Sequence, residues 1–193
     1  MFQKIIGIDP SGDSCGMVVI DNGHILLAAN YSKEQFYNKV TNYLLDSKII
    51  VVIEDIKPYS LRLMPQVIDT CKFIGEALFR LKTMCGANVE LRSRNEVKKW
   101  IFDTFPDVCL PIIENKIAKK GYISASTGEA RKPSFVFVDD RIMTECMKVL
   151  YKIEKPKSGK GYEYGLKTHS WQSLALATYF YYSQGIKIPQ IQV

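Results

Sequence analysis

The sequence predicts an α/β protein built on one mixed sheet, three antiparallel strands followed by two parallel ones, with helices on both faces. Three observations carry that expectation. The runs KIIGIDPS (4–11), CGMVVIDNG (15–23) and HILLAANYS (24–32) follow one another with no room for a helix between them. The run KIIVVIEDI (48–56) is apolar without alternation, the pattern of a strand covered on both faces in a parallel arrangement. Helical and extended patterns then alternate, helix at 33–47, strand at 48–56, helix at 64–84, strand at 87–94.

Each element has a local reason. The first strand stops at Asp9-Pro10, because proline ends the ladder and restricts the residue before it. The second closes on Asn22-Gly23, a hairpin signal, and His24 beside it reads as a polar turn residue. In the 33–47 helix Phe36, Val40, Tyr43 and Leu44 recur at helical spacing, with Ser32 as N-cap and Gln35 three residues on. The 64–84 pattern is stopped by Gly86. ANVELRSR (87–94) is the fifth strand, and Asn95 is expected to cap the short helix EVKKWIFDTF. Asp139 or Asp140 caps a helix through DDRIMTECMKVLYKI. Residues 103–137 resist assignment, since they carry Pro106, Pro111 and Pro133 along with the basic cluster Lys116, Lys119 and Lys120. EKPKSGKGYEYGLK (154–167) reads as an exposed basic loop. KTHSWQSLALATYFYY (167–182) is a final, nearly all-apolar helix with His169 and Gln172 on one face of its first turn.

At 193 residues the chain is long enough to bury a proper core, and no repeat or linker divides it, so one domain spanning 1–193 is expected. Lys+Arg at 26 against Asp+Glu at 20 gives +6, a surplus that suits an anionic partner, nucleic acid first. The five cysteines show no C-x-x-C pair, which argues against a zinc site or a disulfide framework and for buried, reduced thiols. No charged-then-apolar leader opens the sequence and no 18-residue apolar run interrupts it. The expectation is a soluble, cytoplasmic protein with no membrane association.

Two carboxylates occupy places where a carboxylate is costly. Asp9 follows IIGI at the end of the first strand, and Glu54 follows IIVVI at the end of the fourth. An ionised group beside an apolar run needs a partner, and a divalent cation is a good one. If both strands are central and adjacent, the acids converge at one edge of the sheet, where His169 would complete the cluster. Read singly, each acid is more often a turn residue or an exposed charge; it is their order with the late helix that carries the signal.

On those residues the chain resembles a known family. IIGIDPSGDSCGMVVIDNG is similar to the opening hairpin of RuvC-type Holliday-junction resolvases, members of the RNase H-like nuclease superfamily. VVIEDI resembles that family's second acidic strand, RSRNEVKKWIFD its later P-x-x-VKK segment, and HSWQSLALA its final helix. The region around 103–165 looks expanded by comparison. The resemblance implies an RNase H-like five-stranded sheet and a two-metal phosphodiesterase using Mg²⁺ or Mn²⁺. In it, Asp9 bridges both ions and Glu54 binds one. One ion readies a water for in-line attack and the other stabilises the leaving 3′ oxygen. His169 matches the first position of the helix motif, to bind metal or orient the water.

Gln172 departs from the family pattern, which has Asp there. Three readings are open: Gln172 coordinates through its carbonyl oxygen; another acid, Asp140 or Asp139, supplies the missing charge; or the protein binds branched DNA without cutting it well. Helix capping is the structural alternative for the two aspartates.

The same resemblance implies a homodimer acting on four-way junctions, since a two-fold substrate is nicked at two related positions. It assigns the 64–84 region to the dimer interface. Tyr59 is the candidate for stacking and Arg62 for phosphate contact, with Phe73 either stacking or packed in the core. Lys98, Lys99, Lys160 and Lys167 are further nucleic-acid contacts, joined by the 116–120 cluster, Lys155 and Lys157. Tyr162 and Tyr164 lie among the loop lysines. The resulting expectation is a metal-dependent, structure-specific endonuclease that resolves Holliday junctions or related branched DNA in recombination and repair. The alternative is a non-catalytic junction-binding module. An actin-like kinase fold also opens with strand, Asp and hairpin, but it needs two related domains, and this chain is too short.

Overall fold

A computed structural model of the chain describes residues 4–44, 49–56, 64–120, 129, 131–154 and 166–185. Its centre is a five-stranded sheet of β1 (Lys4–Pro10), β2 (Ser14–Asp21), β3 (His24–Ser32), β4 (Ile49–Asp55) and β5 (Asn88–Ser93). The spatial order is β3-β2-β1-β4-β5. β1–β2 and β2–β3 pair antiparallel, while β1–β4 and β4–β5 pair parallel. This is the mixed sheet that the order of the runs predicts, in the RNase H-like arrangement that the resemblance implies. The second and third strands turn at Asn22 and Gly23, both at positive φ (48° and 82°), as a two-residue I′ hairpin requires.

β1 and β4 are apolar on both sides because each side meets a separate core. Ile5, Val18, Ile20, Ile50 and Val52 face α3 (Arg94–Thr104), α4 (Pro106–Lys120), α5 (Asp140–Tyr151) and α6 (Thr168–Ser183). Ile6, Ile8, Met17, Val19, Val51 and Ile53 face α1 (Lys33–Thr41) and α2 (Pro65–Leu78). Each such aliphatic side chain contributes about 1.5–3 kcal/mol on burial. A strand serving two cores cannot alternate polar with apolar. α6 is buried because it lies between the sheet and the helices α3 and α5, so Ser170 through Thr178 are all shielded from solvent.

The caps explain where helices begin. Ser32 and Gln35 form the expected capping box on α1. At α3 the cap is Ser93 rather than Asn95: its hydroxyl accepts from Glu96 N, and Glu96 Oε2 accepts from Ser93 N at 2.7 Å. The reciprocal bond fixes the start two residues earlier than an Asn95 cap would. α2 widens into a π-helical turn over Phe79–Met84 before Gly86, at φ 65°, ends it.

The region 103–137, which local sequence signals do not assign, contains α4 with Pro111 inside it and a short 3-10 turn at Phe135–Phe137. Pro106 opens α4 where its missing N–H is not needed. Cys109, Ile113 and Ile117, one buried face at i, i+4 and i+8, hold the helix through the backbone bond that Pro111 removes. Cys15, Cys109 and Cys146 are buried free thiols as expected, but Cys71 and Cys85 are exposed; the first lies on the outer face of α2 and the second just beyond the π turn. Phe73 is core, 1% exposed and edge-on to Phe36 at 5.6 Å.

Candidate active site at the carboxyl ends of β1 and β4

The parallel register sets Ile8 level with Ile53, so Asp9 and Glu54, the next residue on each strand, emerge side by side. By strand alternation both project to the α6 side. They are 5% and 6% exposed, close enough for the Asp9 carboxyl to act directly on that of Glu54. Burial, then the adjacent Asp9 charge, push the Glu54 carboxyl up to about 8, against a smaller opposing pull from Arg94.

Helix α6 reaches these acids because glycine clears its path. A Cβ on Gly7 would lie 2.3 Å from Ser173 O, and one on Gly16 would lie 2.3 Å from the His169 carbonyl. With backbone against backbone, Ser173 Oγ accepts from Asp9 N at 3.0 Å and donates to His169 O at 3.0 Å. One hydroxyl thus ties the strand end to the helix turn that carries His169. His169 Nδ1 lies 2.8 Å from Asp9 Oδ2. That hydrogen bond, opposed by burial and aided by the Asp9 charge, holds the imidazole in its protonated form to higher pH than usual.

Gln172, one turn on, is 6% exposed and lines the same cleft. Among the described residues its buried Oε1 has no hydrogen-bond partner, an arrangement that costs roughly 1–3 kcal/mol unless something fills it. The cleft encloses about 620 Å³ and continues past Arg94, Asp140, Arg141 and Trp171.

The two aspartates ahead of α5 divide their roles. Asp139 is the cap, accepting from Ile142 N at 3.1 Å and pairing with Lys116 at 2.7 Å. Asp140 turns into the cleft and bonds the Arg94 guanidinium, whose other nitrogen donates to Glu54 Oε1 at 3.3 Å. Sequence reading overlooks Arg94, as well as Ser173 and the two docking glycines. A lone arginine after a strand carries no signal of its own, although its place three residues before VKK is legible.

The nucleic-acid candidates separate as well. Lys98 is half-buried near Arg94, Asp140 and Glu54, and burial, then the Arg94 charge, weaken its hold on its proton. Lys99 points away into an exposed pair with Asp103 at 2.6 Å. Lys167 is exposed at the start of α6, beside the cleft residue Thr168. Tyr59, Arg62, Lys155, Lys157, Lys160, Tyr162 and Tyr164 lie outside the described residues. Lys116 is engaged by Asp139.

Among the described residues, no group of three or more His, Cys, Asp or Glu side chains stands in metal-holding geometry. Two features of the cleft nevertheless fit a divalent cation. Among the described residues the buried Gln172 carbonyl oxygen is unpartnered, and burial and the adjacent Asp9 charge push the Glu54 carboxyl up to about 8 even with Arg94 beside it. Oxygen donors of this kind suit Mg²⁺ or Mn²⁺.

No family model and no curated protein matches the sequence. Among solved structures the chain is similar to RuvC of Thermus thermophilus in complex with Holliday junction substrate, with a TM-score of 0.55 and 14% identity over 95% of this chain and 97% of that one. It is similar also to a second Thermus thermophilus RuvC structure, at TM-score 0.50 with the same identity and coverage. At that identity the likeness is one of fold. No described helix is long and apolar enough to cross a membrane.

Proposed function

We propose that this chain is a metal-dependent, structure-specific endonuclease that resolves four-way DNA junctions or related branched DNA by paired nicks, acting in the cytoplasm as a homodimer. One observation carries the reading: two buried acids from adjacent parallel strand ends meet His169 and Gln172 from a single turn of α6. The fold it shares with a RuvC structure bound to Holliday junction substrate supports the choice of nucleic acid.

Asp9, Glu54, His169 and the Gln172 carbonyl would hold the metal. When bound, the ions supply positive charge to the attacked phosphodiester and acidify the attacking water. Asp9, anchored through its own backbone to Ser173, fixes the imidazole of His169 at the cleft, where the ring can orient a water or pass a proton. Lys98 and Lys167 flank the cleft and would take neighbouring phosphates. Asp140 would supply further negative charge at the rim of the cleft. The second copy would seat on the apolar stripe of α2 and its π extension, where Met64, Ile68, Cys71, Gly75 and Phe79 are all exposed at successive turns. Among the described residues nothing lies within 4 Å of a Cβ built on Gly75, which leaves room for a second backbone to approach.

A second reading, a junction binder with a degenerate site, is favoured by one feature: Gln172 brings no charge where a carboxylate would. Cleavage and binding of a labelled junction in Mn²⁺, by the native chain, Asp9→Asn and Gln172→Asp, separate the two. Nicking by the native chain that is lost in Asp9→Asn supports the nuclease. Binding without nicks in the native chain, with nicking gained only in Gln172→Asp, supports the binder.

A further inference from the structure

The acids of the cleft already have a cation, and it belongs to the protein. Arg94 sits at the first position of α3, directly after β5, so its side chain starts beside the strand neighbouring Glu54. One guanidinium nitrogen reaches Glu54 Oε1 and the other Asp140 Oδ1. Glu54 is almost wholly buried while Asp140 is largely exposed, so the fork bridges the floor of the cleft to its rim. A planar guanidinium suits this task because it offers two parallel donors and is never neutral.

From this geometry we infer that Arg94 is a resident cation that competes with the metal for Glu54, and that it leaves Glu54 when the metal arrives. The inference rests on the metal-dependent reading given above. Two physical points carry it. Both would-be occupants would draw on one carboxylate, and a guanidinium and a divalent ion held by the same group repel in a partly buried site. The metal-free cleft, on the other hand, would leave the buried Glu54 carboxyl without a cation of its own if Arg94 were absent, because the His169 imidazole is engaged with Asp9. Arg94 therefore stabilises the empty site and opposes its filling. Once displaced it stays tethered to the exposed Asp140, at the rim where a phosphate backbone would pass, with its remaining donors free to take a phosphate oxygen.

A merely structural ion pair predicts the reverse. If Arg94 only braced Glu54 for the metal, removing it would weaken uptake.

The test is Mn²⁺ binding by titration calorimetry on the full chain, together with thermal melting in chelator, for the native protein, Arg94→Met, Arg94→Lys and Glu54→Gln. Arg94→Met is expected to bind Mn²⁺ about ten-fold more tightly or better and to melt lower than native in chelator. Arg94→Lys, which keeps the charge and folds conservatively, is expected to fall between the two. Mn²⁺ affinity that is unchanged or weaker in both arginine variants overturns the inference while leaving the metal site intact. A native chain that takes up no Mn²⁺, or takes it up equally well as Glu54→Gln, instead overturns the metal reading and the inference with it.

Discussion

At the scale of single residues, the site is legible wherever a side chain sits against its physical preference. Glu54 is the clearest case. Its ordinary value of 4.5 rises to about 8 through burial and the neighbouring Asp9 charge, so between those values the folded chain holds a proton that the unfolded chain has lost. Stability of the metal-free protein must then fall as pH rises through that window. His169 runs the same way, since a group held protonated by its partner loses that stabilisation as pH climbs past its folded value. Melting in chelator should therefore be higher at pH 6 than at pH 8, and Glu54→Gln should flatten the difference. Asp9, Glu54 and His169 can be read from sequence because acids ending apolar strands, and a polar pair opening an apolar helix, are conspicuous. Arg94 cannot, because its meaning lies in Glu54 and Asp140, 40 and 46 residues distant. Nor can sequence say which of Asp139 and Asp140 caps α5, since either residue precedes the helical pattern; the bond to Ile142 N assigns the cap to Asp139.

At the scale of elements, the position of α6 decides whether these residues meet. Gly16→Ala would drive a methyl group into the His169 carbonyl, and backbone cannot yield as a flexible side chain does. The expected cost is about 1–3 kcal/mol in stability, with loss of metal uptake beyond what that destabilisation explains; urea unfolding and Mn²⁺ titration on the same sample check both. Asp139→Ala is a contrasting case. It removes a cap and a partner of Lys116, and should cost about 1 kcal/mol without moving Asp9 or Glu54, so metal uptake should survive. The strands are readable because an unalternating apolar run of strand length and an Asn-Gly turn between two such runs each fit few backbone structures but a sheet. α4 is not, because Pro111 weighs against a helix locally and only tertiary packing of Cys109, Ile113 and Ile117 outweighs it. The α3 cap is misplaced by sequence for a similar reason: Asn95 and Ser93 are both good caps, and the reciprocal bond from Glu96 selects the serine.

At the scale of the whole molecule, the cleft lies on the α6 side of the sheet and α2, with its exposed apolar stripe, packs on the other. Phe79, 61% exposed, ends the stripe on α2, and a charge there should disrupt the proposed pairing of two copies. Phe79→Glu is expected to sediment as a monomer under conditions where the native chain is a dimer, with the melting temperature of the individual fold little changed. Two clefts related by a two-fold axis would address two strands of one junction, which connects assembly to the reaction. The nuclease reading meets its most direct test in cleavage of a four-way junction labelled on each strand in turn, in Mg²⁺ and in chelator. Paired nicks are expected on two opposed strands, absent in chelator and absent in Asp9→Asn and Glu54→Gln. Intact strands under every metal condition, with junction binding equally tight in chelator, would contradict it.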